Sequence, residues 1–258
     1  MADGEQSDVW HYEGLTYWSP LSVARVESVL DLIPLQSGDA ALDIACGKAE
    51  ILLRLVERHG VRGTGLDRSP WALELARQEA AERVPDARLD LVQAGLDEFH
   101  PEPGSFSCIT CLGGPRLGAT LGDTLAVLKT WLRPGGYLLL GEGFWAQPPP
   151  AEYLQATGIP ADGLPDHPGI MQAGREQGMA LLYTCISNRD EWDVFEGRIL
   201  YNAEQRDAER RARGVAEPEG GKTVQQRRDW YDAQSRWGRD AMGFGLYLFR
   251  RPAGVSQP

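Results

Sequence analysis

The sequence predicts an α/β fold in which helices cover both faces of a mostly parallel sheet. Apolar runs with the character of strands alternate with amphipathic helical patterns along most of the chain. The run "AALDIAC" is apolar at nearly every position, as in a strand that is buried on both faces. A length of 258 residues and an apolar content of 42% provide for a sizeable core. They suit one large domain with appendages, or two small domains.

Five strand and helix units are predicted in order in the first part of the chain. A first helix over 21–33 has apolar residues at helical spacing and ends before Pro34. After the strand "AALDIAC", a second helix ends at Gly60, a residue typical of C-caps. After the strand "VRGTGLD", a third helix begins with Ser69 as N-cap and Pro70 at its first position. The strands "ARLDLVQAG" and "FSCITCLGG", the helix "TLAVLKTWL", the turn "RPGG" and the strand "YLLLGEG" follow.

The regular alternation ends where a Pro- and Gly-rich stretch predicts a loop with one short helix. A helix and a sixth strand, "MALLYTCIS", come next, and a last strand, "AMGFGLYLFRR", follows a long, charged, helical insertion. Long insertions in compact domains are usually lids or binding elements. We therefore expect an N-terminal flap over 1–20, a main domain over 21–252 with a helical lid at 188–239, and a tail over 253–258.

Charge and composition argue against several classes of function. A net charge of -11 would repel a nucleic-acid backbone or an anionic membrane surface. The N-terminus lacks the pattern of a secretory signal and no long apolar run is present, so we expect a cytoplasmic protein. Cys108 and Cys111 have the spacing of a redox motif, but on a strand residues three apart point to opposite faces. We therefore expect no redox role for this pair and no bound metal. We expect the protein to be a monomer or a homodimer.

A candidate ligand site lies in the turn after the first strand, within "LDIACGKAE". Asp43 ends the strand, Gly47 lies in the turn, and Asp67 ends the second strand. In such sheets ligands bind outside the carboxyl ends of the strands, and an acid after the second strand reaches ribose hydroxyls. Gly47 lets the backbone approach the ligand. These features also fit a dinucleotide dehydrogenase.

Two features argue against a dinucleotide at this turn. A pyrophosphate requires G-x-G-x-x-G before a helix N-terminus, and "CGKAEI" lacks the third glycine of that pattern. Glu50 would also face the phosphates with like charge. The turn therefore favours a ligand without a pyrophosphate. An NAD-type oxidoreductase remains an alternative.

Four spaced motifs resemble those of the class I S-adenosylmethionine-dependent methyltransferases. They are "LDIACGKAE", "GTGLDRSPWAL", "LVQAGLDEF" and "WLRPGGYLLLGEG", and the resemblance covers about 21–250. It implies a Rossmann-like three-layer α/β/α sandwich with strand order 3-2-1-4-5-7-6 and an antiparallel last strand. It also implies S-adenosylmethionine as cofactor and S-adenosylhomocysteine as product. The stretches "GEGFWAQPPP", "NRDEWDVFE" and "GFGLYLFRR" resemble a bacterial subgroup of small-molecule or uncharacterised methyltransferases.

The resemblance implies roles for residues around the methionine and ribose parts of the cofactor. Asp43 would support the methionine end near its amino group, and Ala45 and Gly47 would line the turn below. Asp67 would bind both ribose hydroxyls, and the backbone carbonyl of Leu112 would accept from the cofactor ammonium. Ala45 replaces a glycine of the family motif, which affects the expected affinity more than the identity of the ligand.

Another group of residues would surround the adenine. Arg68 would cover one face of the ring, where its flat guanidinium could stack. The backbone N–H of Leu96 would contact the ring edge. Gly95 takes the position that usually holds an acid for the adenine amino group, and Asp97, two residues later, could substitute for it.

The acceptor is expected to be a small molecule, because the end of strand four, "CLGGPR", lacks the Asn/Asp-Pro-Pro-Tyr motif of nucleic-acid methyltransferases. Catalysis would be mainly positioning and exclusion of water, with Glu142 or His11 as the best-placed base and His167 as a third candidate. A non-catalytic S-adenosylmethionine-binding protein is a further alternative. Aromatic residues in the flap, after strand five and in the insertion are predicted to contact the acceptor: Tyr12, Tyr17, Trp18, Trp145, Trp192 and Tyr201.

Overall fold

The computed structural model describes residues 9–216 and 223–253. The first eight residues of the predicted flap lie outside this range, as do 217–222 of the predicted insertion and 254–258 of the predicted tail. None of the helices within the described ranges is long and apolar enough to cross a bilayer.

A seven-stranded sheet forms the centre of the fold. Its order is β3-β2-β1-β4-β5-β7-β6, with parallel pairing from β3 to β5 and an antiparallel pair formed by β6 and β7. The order 3-2-1-4-5-7-6 and the antiparallel last strand are therefore confirmed. The strands are β1 (Ala40–Ile44), β2 (Arg62–Asp67), β3 (Leu89–Gln93), β4 (Phe106–Leu112), β5 (Leu132–Trp145), β6 (Ala180–Ile186) and β7 (Met242–Arg250).

Helices alternate with the strands, and a short 3₁₀ helix, Val9–Tyr12, precedes them. The predicted caps are confirmed: the Ser69 hydroxyl accepts from the backbone of α3 with Pro70 in its first turn, and Gly60 ends α2 in a left-handed conformation. The helices are α1 (Val23–Leu30), α2 (Glu50–His59), α3 (Pro70–Arg83), α4 (Leu121–Trp131), α5 (Ala151–Thr157), α6 (His167–Glu176), α7 (Arg189–Ala212) and α8 (Val224–Ala233). After α8 the chain continues through a π-helical turn, Gln234–Gly238, to β7.

Three predicted boundaries are corrected. The predicted helix 21–33 is shorter, because tight backbone bonds from Leu32 to Val29 and from Ile33 to Leu30 replace the last helical turn. The α4 helix begins earlier than predicted, since Thr120 caps it in a reciprocal box. The "RPGG" turn is part of β5, which enters the sheet with a register shift against β4 and a left-handed Gly135.

The described residues fall into two compact units, which we name by their content. The described residues of the sheet unit are 24–143, 167–186 and 244–253. Those of the helical unit are 9–23, 144–166, 187–216 and 223–243. The predicted division into flap, main domain and lid stays a prediction.

The core of the sheet unit consists of apolar side chains from the central strands and from the helices that cover them. Leu42 and Ile109 on the paired strands β1 and β4, and Leu52 on α2, are fully buried. Burial of such side chains is the main favourable term in folding. Because β1, β2, β4 and β5 are parallel, their carboxyl ends lie along one edge of the sheet.

In the helical unit, the segment before α1 is fastened to α7. The Asn202 side-chain amide donates to the backbone carbonyls of His11 and Glu13, at 2.9 Å each. The Glu191 carboxylate accepts from the backbone N–H of Ser22 at 2.9 Å. The α7 and α8 helices pack against each other through ion pairs and hydrogen bonds. The N-terminal segment is thus part of this unit through specific polar contacts.

Candidate active site

The turn after β1 holds three residues in the left-handed region of backbone space. Ala45 has φ 54°, Gly47 has φ 56° and Ala49 has φ 61°. This conformation costs a residue with a Cβ roughly 1–2 kcal/mol, whereas glycine adopts it freely. The turn therefore keeps a glycine-like path although two of its three left-handed positions carry alanine. Strained backbone of this kind is concentrated at ligand-binding sites.

Asp67, at the end of β2, connects this turn to the start of α3. One carboxylate oxygen accepts from the backbone N–H of Gly47 and the other from that of Ser69, at 2.8 Å each. A carboxylate has about four acceptor positions, so these two bonds leave it able to accept further hydrogen bonds. The Asp67 carboxylate is thus fixed in orientation and retains acceptor capacity.

Asp43, at the end of β1, is a buried carboxyl group with 4% exposure. The Thr110 hydroxyl donates to it at 2.6 Å, and the backbone of Leu52 also donates a hydrogen bond. Burial raises the pKa of Asp43 to about 7, and the nearby Asp67 charge adds to the rise. Neither hydrogen-bond partner carries a positive charge. The site would therefore gain from a cation placed beside Asp43.

At the end of β3, an ion pair lies over a glycine. The Arg68 guanidinium and the Asp97 carboxylate meet at 2.5 Å, and a Cβ at Gly95 would collide with both. A backbone N–H and the Arg68 charge lower the pKa of Asp97. Leu96 is buried, and the backbone N–H of Gly95 donates to the Glu98 carboxylate at 2.6 Å. The missing side chain at Gly95 thus leaves room for the Arg68–Asp97 pair.

Glu142 lies near the carboxyl end of β5, beside the loop that follows β4. The Arg116 guanidinium donates to its carboxylate at 3.1 Å. Burial raises the pKa of Glu142, and Arg116 only partly opposes the rise. The loop after Leu112 is tied to β5 by a backbone bond from Gly113 to Gly141 of 2.8 Å. A carboxyl with a raised pKa at this edge is suited to accept a proton.

The structure therefore brings the predicted cofactor residues and Glu142 to one edge of the sheet unit. Thr110 and Arg116, which contact Asp43 and Glu142, were not among the predicted residues. Thr110 gave no signal because a β-branched residue is ordinary in a buried strand. Arg116 lies in the "GGPR" loop, so its position near the strand ends was foreseeable, although its partner was not.

Most of the residues predicted to contact the acceptor form aromatic contacts inside the helical unit. The rings of Tyr12 and Trp18 stack at 4.9 Å, and Phe195 contacts both Tyr12, at 6.2 Å, and Trp192, at 6.4 Å. Phe195 was not predicted, and its spacing from Trp192 on one helix is the signal that could have indicated it. Tyr17 is buried.

The other three predicted residues of this unit have different surroundings. Trp145 packs in a buried cluster with Tyr153, and its indole N–H donates to the Ala161 carbonyl at 2.9 Å. Tyr201 is 54% exposed, with the Arg198 guanidinium 5.7 Å from its ring centre. His11 is buried and its ring stacks on Trp10 at 3.6 Å. The acceptor contacts assigned to the six aromatic residues, and the role of His11 as a base, stay predictions.

Residues 41–136 match the family model of a methyltransferase domain. In fold, the chain is similar to an S-adenosylmethionine-dependent methyltransferase from Geobacter sulfurreducens, solved in complex with S-adenosyl-L-homocysteine. The TM-score is 0.82 at 20% identity, over 93% of this chain and 96% of that one. The chain thus has the fold of that enzyme, and its residues 41–136 match a methyltransferase domain.

Two relatives extend the similarity in sequence. The uncharacterized protein YjhP of Escherichia coli (strain K12) is 23% identical over 69% of this chain and 72% of its own length. The 2-phytyl-1,4-naphtoquinone methyltransferase of Trichormus variabilis is 30% identical over 48% of this chain. The chain spans little more than half of that enzyme, 56% of its length.

The matched methyltransferase region runs from β1 into the first part of β5. It contains the strained turn, Asp43, Asp67 and the Arg68–Asp97 pair, which are the features at the ends of β1, β2 and β3. Glu142 lies beyond the match, as do β6, β7 and the helical unit. The family match therefore covers the ends of β1, β2 and β3, and not the end of β5.

Proposed function

We propose that this chain transfers a methyl group from S-adenosylmethionine to a small-molecule acceptor. The observation that carries the proposal is the buried Asp43 carboxyl, with its raised pKa and its two uncharged hydrogen-bond partners, beside a strained turn and a fixed Asp67. S-adenosylmethionine carries an ammonium group and a ribose diol, which these two carboxyl groups suit. A dinucleotide also has ribose hydroxyls for Asp67, but its pyrophosphate offers no ammonium group to Asp43 and would add negative charge beside the two acids.

The roles that we propose for the cofactor residues follow from this chemistry. Asp43 would bind the ammonium group together with the Leu112 carbonyl, and Asp67 would accept from the ribose hydroxyls. Ala45 and Gly47 would admit the cofactor because no long side chain stands on the turn. Arg68 would cover the adenine, Leu96 would donate its backbone N–H, and Asp97 would accept from the adenine amino group across Gly95. The opposite charges of Arg68 and Asp97 keep this part of the site neutral.

We propose that Glu142 takes the acceptor proton when the acceptor binds in its protonated form. When bound, the cofactor supplies a methyl group on a positively charged sulfur, which is already an activated leaving group. The burial of Glu142 keeps its basicity above that of an exposed carboxylate, and Arg116 fixes its orientation. His11 stays a second candidate. Positioning and exclusion of water would contribute most of the rate enhancement.

The acceptor is proposed to be a small molecule because relatives such as 2-phytyl-1,4-naphtoquinone methyltransferase act on small molecules by name. The aromatic residues of the helical unit are proposed to contact it. A net charge of -11 supports the absence of nucleic-acid and membrane partners and suits a cytoplasmic location, which we also propose. The NAD-type oxidoreductase is not favoured, because the family match is to a methyltransferase domain.

Calorimetry with S-adenosylhomocysteine and with NADH tests the cofactor part of this proposal. We expect S-adenosylhomocysteine to bind the wild-type protein and NADH to give no heat. Binding of NADH alone would overturn the assignment.

A transfer assay with methyl-labelled S-adenosylmethionine tests the enzyme part. The acceptor panel should contain phenols, quinols, amines, thiols and carboxylic acids, and we expect label in at least one product. The Glu142→Gln variant should bind the cofactor as tightly as wild type and transfer the methyl group about 10² to 10⁴ times more slowly. Tight cofactor binding without a product across the panel would favour the non-catalytic alternative.

A further inference from the structure

A buried tyrosine connects the neighbourhood of Glu142 to a histidine on another element. Tyr247, on β7, is fully buried, and its hydroxyl lies 2.7 Å from Nδ1 of His167, the first residue of α6. The two ring centres are 5.5 Å apart. The tyrosine donates this hydrogen bond when the imidazole is neutral with its proton on Nε2. His167 is half-buried, whereas Tyr247 has no exposed surface.

The register of β5 against β7 puts Glu142 beside this hydroxyl. Backbone bonds from Gly135 to Arg251 and from Arg251 to Gly136 align the two strands. Counting along antiparallel strands from the second of these bonds places Glu142 opposite Gly245. Residues opposite each other on neighbouring strands have Cβ positions about 4.5–5.5 Å apart.

Gly245 is the reason why the tyrosine can occupy this space. A Cβ at Gly245 would lie 3.1 Å from the Tyr247 hydroxyl oxygen, so the ring leans across the position that a side chain would fill. The Tyr247 hydroxyl and the Glu142 side chain therefore lie on the same face of the sheet, on neighbouring strands. The electrostatics agree: burial raises the pKa of Tyr247, and the Glu142 charge raises it further.

Three groups face Glu142 from the elements around it. Arg116 comes from the loop after β4, Cys111 from β4 itself, and Tyr247 from β7. Arg116 always carries its charge, and burial raises the pKa of the Cys111 thiol to about 12. Neither can take up a proton from Glu142 near neutral pH. Tyr247 is the remaining group of the three that can exchange a proton with Glu142 while staying neutral.

We propose that Tyr247 and His167 form a path along which Glu142 releases the proton that it takes from the methyl acceptor. This inference rests on the proposed role of Glu142. The acceptor proton binds a Glu142 oxygen. Once the Glu142 carboxyl group turns toward Tyr247, it passes a proton to the Tyr247 oxygen as the Tyr247 hydroxyl proton moves to Nδ1 of His167, and His167 releases its Nε2 proton to solvent. One proton leaves for each methyl group transferred; opening of the Tyr247–His167 hydrogen bond then lets exchange with solvent return the imidazole to its Nε2–H tautomer.

NMR spectroscopy at one pH tests the connection without any methyl acceptor. The His167 ring is observed through its ¹⁵N and ¹³C shifts in wild type, Glu142→Gln, Tyr247→Phe and the double variant. Loss of the Glu142 charge should shift the His167 Nδ1 resonance in the wild-type background, because it changes how strongly the Tyr247 hydroxyl donates. We expect at least half of this shift to vanish in the Tyr247→Phe background, because the hydroxyl that links the two groups is gone.

A control and a kinetic measurement complete the experiment. Tyr183→Phe changes an exposed tyrosine on β6 and should leave the His167 ring resonances as in wild type. Binding of S-adenosylhomocysteine shows that each variant is folded. With any acceptor that the panel reveals, Tyr247→Phe should lower kcat at least about tenfold with an unchanged KM for S-adenosylmethionine.

The outcomes separate this inference from the proposed function. Equal His167 shifts with and without the Tyr247 hydroxyl would overturn the proton path, even if the protein is an active methyltransferase. An unchanged kcat in Tyr247→Phe would also overturn it. A panel without any product would count against the proposed enzyme activity, and the NMR cycle would still decide whether the three side chains are coupled.

Discussion

Replacing Asp43 by asparagine should change how stability depends on pH. The pKa of this carboxyl is about 7 in the folded protein against 3.8 for a free aspartate side chain, a rise of roughly 3 units. Each unit of pKa difference corresponds to about 1.36 kcal/mol, so ionisation of Asp43 lowers the free energy of unfolding by about 4 kcal/mol in total. Because the folded-state value is raised, stability is greatest below the unfolded-state value and is lost as the pH rises through 7. An asparagine side chain does not ionise, so the variant should escape this loss.

Urea denaturation followed by tryptophan fluorescence measures the difference. The asparagine amide group loses one backbone hydrogen bond that the carboxylate accepts. This loss lowers the stability of the variant by about 1–3 kcal/mol at every pH. The informative quantity is therefore the change with pH. Between about pH 5 and about pH 8.5, the free energy of unfolding of Asp43→Asn should rise by about 2.5–3 kcal/mol relative to that of wild type. Asp86→Asn, at an exposed acid between α3 and β3, is the control.

Cofactor binding gives the same reasoning a second test. If the Asp43 carboxylate binds the ammonium group, wild-type affinity for S-adenosylhomocysteine should fall by up to tenfold per unit as the pH drops below 7. In Asp43→Asn the affinity should be weaker and constant over that range. A stability difference that does not vary with pH would refute the raised pKa. A normal stability profile with pH-independent binding in wild type would refute the role of Asp43 at the ammonium.

Three further substitutions test other parts of the structure. Asp67→Ala should weaken S-adenosylhomocysteine binding by roughly 1.5–3 kcal/mol, the range for hydrogen bonds to a charged group, and an unchanged Kd in calorimetry would remove the ribose assignment. Ala45→Gly should stabilise the protein by about 0.5–1 kcal/mol in urea denaturation, because relief of the left-handed strain outweighs the added freedom of the unfolded chain. The control Ala80→Gly, in α3, should destabilise the protein by about as much. Gly174→Ala should cost about 1–3 kcal/mol, since its Cβ would collide with the Phe249 ring, and a wild-type Tm would contradict this close packing.

The alternation of strands and helices could be predicted because its signals are local and repeated, whereas the order of the strands followed from the resemblance to the methyltransferases. Gly60, Ser69 and Pro70 mark helix ends through their own backbone chemistry, so these ends agreed with the structure. The ends of the 21–33 helix and the "RPGG" segment did not, because they depend on contacts with the rest of the fold. Gly135 is compatible with a tight turn or with a bulged strand, and the neighbouring strands decide between them.

The placement of single residues at strand ends could be predicted from the sequence, whereas contacts between two residues of the candidate site could not. Asp43 and Asp67 follow strands, and strand ends are visible in the sequence. Their partners are not: Thr110 lies 67 positions from Asp43, and Tyr247 lies 80 positions from His167. Such pairs depend on register across strands, which a sequence pattern does not reveal.

The alanines in the turn after β1 have a consequence for the thermodynamics of binding. A turn of three glycines samples many backbone conformations, and a ligand must select one of them. Ala45 and Ala49 remove most of those alternative backbone conformations. The enthalpy of the strained backbone is therefore spent on folding, and the turn loses less conformational entropy when the cofactor binds. Calorimetry should therefore show a less unfavourable binding entropy for this protein than for a variant with glycine at both positions.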